Sequence, residues 1–298
     1  MIRTRSILPV LLLPAALVAQ TQAPAPAEAP SLGDRVRAER PVVDKLMASF
    51  EFAEALKHAQ ALLPATRPAF DTKDNQTMVT SAIHAIELGQ AYRLGVETAD
   101  AAGQWEQALA YAKEAKAIAA ESYAAVKEPF EKMVTYYDAA GARAKQVLTD
   151  NDARIKELKA LPNPNPGEQQ ELYLAKGVEK EVEDDAKWSK FFQTYVNAAK
   201  EETTAYDPLI TVMEKKLQSE ADQIADYKAG KGDKTKWVEA VIYSPAYLEA
   251  QGTPAAKMRW LYRLSVLDPE NKKVQRQMDI LMGKPVEPEP KRGRGKRP

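Results

Sequence analysis

The chain has 298 residues, with 42 Lys and Arg against 42 Asp and Glu, so no net charge draws it toward nucleic acid. It contains no cysteine, which excludes disulfides, thiolate metal sites, covalent c-type haem attachment and a lipid-modified N-terminal cysteine. Its interior is rich in Ala, Glu, Lys, Gln and Leu, with no run of alternating Val, Ile or Thr, which predicts an all-α fold.

The N-terminus reads as an export signal over residues 1–19. Arg3 and Arg5 supply a positive start, and an apolar run of 13 residues follows (7–19, ILPVLLLPAALVA). That length suits a signal peptide and falls short of the roughly 20 residues needed to span a bilayer. Pro9 and Pro14 weaken a transmembrane helix further. Cleavage is expected after Ala19, with Ala23 the second choice, and leaves 40 basic against 42 acidic residues. The expected location is periplasmic or secreted. Residues 20–40 open with a Pro/Ala linker (QTQAPAPAEAP) and lead into the folded part.

Residues 41–127 are expected to hold helical hairpins. In FAEALKHAQALL, Ala55, Ala59 and Leu62 form a small face before Pro64. A long helix is expected from about Asn75 to Ala102. Gly103 then opens a shorter one over residues 103–119, where Ala108, Ala112 and Ala115 share a face bare of bulk.

Residues 128–232 have a different pattern. From Phe130, a four-then-three spacing continues through Val134, Tyr137, Gly141, Ala144, Leu148, Asn151, Ile155 and Leu158. This is the seam of a long helix packed along a partner, as in a coiled coil. Asn151 reads either as a buried polar residue in that seam or as a break within TDND. Pro162, Pro164 and Pro166 stop the helix at Leu161. A second long helix is expected from about Glu168 to Thr204, with Trp188, Phe192 and Tyr195 at core spacing. Asp207-Pro208 restarts a third, carrying Ile210, Met213, Leu217, Ala221 and Ile224 on one face and ending at Gly230 and Gly232. The run EKEVEDD (179–185) reads as a solvated face.

Residues 233–283 contain another hairpin. Thr253 is placed to cap a helix that Pro254 begins and that ends near Leu267. Asp268-Pro269 is expected to start a last helix, ending around Met282-Gly283. Residues 284–298 form a basic tail in which Lys291, Arg292, Arg294, Lys296 and Arg297 are uncompensated, suited to weak contact with anionic surfaces.

The segments around Ala55, Gly103 and Gly252 resemble tetratricopeptide repeats, helix–turn–helix units of about 34 residues with a turn glycine, alanines on the second helix and a closing proline. Gly252 and Pro269 have that family's separation. Leu94-Gly95 resembles its Leu-Gly pair, one residue too far from Gly103. Ala120 replaces the closing proline of the middle segment, Lys257 replaces a small residue in the last, and Gly103 and Gly252 stand 149 residues apart, so the segments are not in tandem. The resemblance implies a helix–turn–helix repeat stack, here with a long antiparallel helical hairpin in its centre. It also implies a non-enzymatic scaffold that binds other proteins of the cell envelope. The alternative is a ligand-binding or structural protein whose long central helices are the working part.

No catalytic, cofactor-binding or metal-ligating residue is assigned. His58 and His84 are the two histidines, and neither has a second one four residues away to build a helical metal pair. Asp150-Asn151-Asp152 with Glu157 fails as a calcium loop, because Ile155 stands where glycine is required and Leu161 where the bidentate glutamate belongs. The stretch GKGDKT (230–235) lacks the glycine spacing and preceding strand of a phosphate loop. Trp105, Trp188, Trp237 and Trp260, with Tyr92, Tyr111, Tyr243 and Tyr247, are either core or the lining of a peptide groove, and their helical spacing favours core.

Overall fold

The computed structural model describes residues 30–64, 66, 69–70, 73–230, 237–238 and 252–286. The expected signal peptide, most of the expected Pro/Ala linker, residues 231–235, Tyr243, Tyr247 and Lys291, Arg292, Arg294, Lys296 and Arg297 lie outside the described residues. Among those described, every regular element is a helix, and none is long and apolar enough to cross a membrane.

Helix α1 (Leu32–Ala48) begins inside the stretch read as lead-in, continues through Pro41 and buries Val36 and Val43. α2 (Phe52–Gln60) places Ala55 and Ala59 fully inside, and both pack with Val43 and Leu94. α3 (Asn75–Ala101) starts at a reciprocal cap. The Asp74 carboxylate accepts from the Thr77 N–H at 2.8 Å while the Thr77 hydroxyl oxygen accepts from the Asp74 N–H at 3.2 Å. Two residues past the end of α3, Gly103 with a φ of +71° closes the turn into the next helix.

That next helix, α4, corrects the expectation of a short second helix. It runs unbroken for 46 residues (Trp105–Asp150), because residues 120–128 contain no glycine or proline to stop it and Pro129 is absorbed within it. Its first part buries Ala108, Ala112 and Ala115 as the spacing predicts. Its second part carries the seam, with Phe130 and Ala144 buried and Val134, Tyr137, Gly141 and Leu148 half-buried. Asn151 is the break rather than a buried seam residue. It is exposed, follows α4 and precedes α5 (Asp152–Ala160), and its side-chain amide donates to the Val147 carbonyl at 2.8 Å.

α6 (Pro166–Ala205) starts two residues earlier than expected, because Asn165 and Glu168 form a second reciprocal cap with Pro166 in the first turn. It runs antiparallel to α4 and α5, in a register marked by Ser189 donating to Asp138 Oδ1 of α4 at 2.6 Å and Arg154 of α5 donating to Glu171 at 3.0 Å. Phe130, Phe192, Val196 and Ala199 join Met78 and Ala82 of α3 in one core. Trp188 departs from its expected place in that core. It is 48 % exposed, stacked at 6.3 Å on Tyr137 beside Phe191.

Three more helices follow in the described chain. α7 (Asp207–Gly230) buries Met213 as expected, but leaves Ala221 exposed and buries Glu220. α8 (Pro254–Leu267) is capped by Thr253, whose hydroxyl oxygen accepts from the Ala256 N–H at 3.2 Å. α9 (Lys272–Leu281) is capped by Asn271, not by Asp268-Pro269. Asp268 closes α8 instead, because the Asn271 side chain reaches the free N–H groups of both Lys273 and Val274. A single core joins Phe52, Leu56, Ala108, Ala112, Met213, Met258, Leu261 and Met278. The beginning, middle and end of the described chain therefore share one interior.

Candidate functional site

An open groove of about 560 Å³ lies where α7 and α8 meet the start of α4. Its apolar lining includes Trp105 and Trp260, with ring centroids 5.7 Å apart, and Val212. Trp237 packs edge-on against Trp260 at 6.4 Å. Successive turns of α7 direct Val212, Lys215, Lys216, Ser219, Glu220 and Gln223 into the groove, because steps of three and four keep them on one face. α8 contributes Arg259 and Trp260.

Arg263 anchors this junction from beneath. It is 1 % exposed, and its Nε and Nη2 donate to the two Glu220 carboxylate oxygens at 2.7 and 2.6 Å. Nη1 and Nη2 donate to the Glu106 carboxylate, both at 2.7 Å, and Nη1 also reaches the Gly103 carbonyl at 2.9 Å. The planar guanidinium fork suits two carboxylates at once, which a lysine could not match. Its carbon also lies 4.7 Å from the centre of the Trp105 ring. Desolvation works against the charge, but the bonds that the guanidinium donates to Glu220 and Glu106 outweigh this cost and hold it more firmly protonated than usual. On the solvent side, Lys216 pairs with Asp100 at 2.5 Å and lies 5.4 Å from the same ring.

The groove therefore contains two satisfied sets of charges. Lys215 and Arg259 differ: both are exposed, and neither has a carboxylate partner among the described residues, although Arg259 lies 6.0 Å over the Phe52 ring.

The aromatic residues singled out in the sequence separate into three groups. Trp105 and Trp260 line the groove and Trp237 buttresses it. Tyr92 and Tyr111 pack on each other at 6.0 Å, and Trp188 belongs to the α4–α6 hairpin. The two histidines pair with neighbouring acids, His58 with Glu39 at 2.9 Å across α1 and α2 and His84 with Glu87 at 3.9 Å. Among the described residues no group of three His, Asp or Glu could hold a metal ion. Neither Glu220 nor Arg263 was singled out as functional in the sequence. The only available signal was a glutamate and an arginine on helix faces that otherwise read as apolar.

No family model, curated protein or solved structure matches this chain.

Proposed function

We propose that this chain is an exported, non-enzymatic helical scaffold, built as a stack of tetratricopeptide-like hairpins, that docks segments of other proteins of the cell envelope without a cofactor. The groove between α7 and α8 carries this reading. It combines an aromatic floor, polar walls and a volume of about 560 Å³, features of a surface that holds a guest side chain. The buried alanine faces of α2 and α4 and the left-handed Gly103 turn support the repeat-like stack. The pattern of residues 1–19 supports export to the periplasm or medium. Affinity capture from envelope extract with the wild-type chain and a Trp260→Ala variant tests the proposal. A partner retained equally by both would remove the groove from it.

A second reading, with the long α4–α6 hairpin as the working part, is favoured by its exposed aromatic and apolar residues Tyr136, Tyr173, Leu174 and Trp188. Limited proteolysis separates the two readings. The first expects no stable fragment near residues 128–232, because α4 is shared between the hairpin and the rest of the core.

A further inference from the structure

The geometry points to an acidic segment of a partner protein as the occupant of this groove, its Asp or Glu side chains meeting Lys215 and Arg259 while an apolar neighbour packs on Trp105 and Trp260. This rests on the docking function proposed above and adds the chemistry of the guest.

Three observations select that chemistry. Of the six α7 residues that line the groove, Glu220 is the only acid, and Arg263 occupies both of its oxygens. Asp100, the other acid of the lining, is held by Lys216. A basic guest would thus find no open carboxylate among the described residues of the lining. Secondly, α8 carries no acid, and the charged residue that it brings to the groove is Arg259. Thirdly, Trp105 already has Arg263 and Lys216 against its ring. The attraction that the Trp105 ring offers a cation is therefore already taken up from within, which leaves less of it for a cationic guest. A carboxylate guest meets the opposite situation, with two exposed cations beside an apolar floor.

Short labelled peptides of equal length carrying glutamate and tyrosine, serine and tyrosine, or lysine and tyrosine, titrated against the folded chain by fluorescence anisotropy, test this. The acidic peptide is expected to bind tightest and to weaken as salt rises. Lys215→Glu with Arg259→Glu is expected to weaken it by about tenfold or more, as reversal of two facing charges should. Lys215→Arg with Arg259→Lys should retain binding. All four substitutions are at exposed positions, and circular dichroism checks that the helices persist. Equal binding of the three peptides, tighter binding of the basic one, no binding of the acidic one, or indifference to the charge reversal would each overturn the proposal. The Trp260→Ala variant separates this failure from that of the docking function. If a serine-tyrosine peptide or a captured partner depends on Trp260 but not on Lys215 and Arg259, docking stands and the acidic guest falls. If nothing depends on Trp260, both fall.

Discussion

Replacing Arg263 with methionine should be among the most damaging single substitutions in the chain. The side chain is 1 % exposed and donates five hydrogen bonds, four to carboxylates and one to the Gly103 carbonyl. Its two acidic partners are not equivalent. The Glu106 side chain is 63 % exposed and can return to water, whereas that of Glu220 is 7 % exposed and would keep an uncompensated charge inside. Removing one member of a buried ion pair costs about 3–5 kcal/mol. At about 3 kcal/mol, the midpoint of thermal unfolding should fall by roughly 6–12 °C for a folded part of this size. Glu106→Gln should cost about 1 kcal/mol or less, because exposed pairs contribute little. The double change Arg263→Met with Glu220→Leu should recover most of the loss, since an apolar pair of similar volume avoids stranding a charge. Urea unfolding of the two single variants and the double variant measures all three quantities. If Arg263→Met costs under about 1 kcal/mol, or Glu220→Leu fails to rescue it, the ion pair does not hold the α4, α7 and α8 junction.

Gly103→Ala should be much worse than Gly252→Ala in thermal melts. Both glycines have positive φ, a strain of roughly 1–2 kcal/mol for alanine, but only at Gly103 would the new Cβ lie 2.3 Å from the Arg263 backbone nitrogen. Phe192→Ala should cost about 3–5 kcal/mol, because its buried ring meets Phe130 at 5.1 Å, whereas half-exposed Trp188→Ala should cost less than half as much. Burial pushes the Asp185 carboxyl above its usual range, with Arg143 opposing the rise and Asp184 adding to it. Such a group favours folding below its unfolded pKa and loses that contribution as pH rises, so Asp185→Asn should melt higher than wild type at pH 7. The gain should vanish below about pH 4, where the wild-type carboxyl is protonated.

Local chemistry was legible in the sequence wherever one residue type decides the backbone. Gly103, Thr253-Pro254, the prolines after Leu161 and Asp207-Pro208 mark boundaries that the structure keeps, because caps, left-handed turns and missing N–H groups act within a few residues. The all-helical character and the alanine faces were legible for the same reason: helical periodicity depends only on near neighbours. Where two local signals competed, the sequence misled. Asp268-Pro269 looked like a helix start, but Asn271 satisfied the free N–H groups better.

Of the candidate site only the tryptophans Trp105 and Trp260 were legible, as core or groove lining, because its parts come from distant stretches. Gly103 and Gly252 lie 149 residues apart in the chain. The contact of α8 with the Gly103 turn, and the ion pair that Arg263 makes there with Glu220, exist only once α7 and α8 converge on that turn. Helical spacing placed Ala221 on the apolar face of α7, yet the tertiary structure buried its neighbour Glu220, because a buried guanidinium was waiting for it. In the same way, Trp188 had the spacing of a core residue and became surface. The spacing fixes which side chains share a face of α6, but only the packing of α3 and α4 against that helix decides how much of the face is covered.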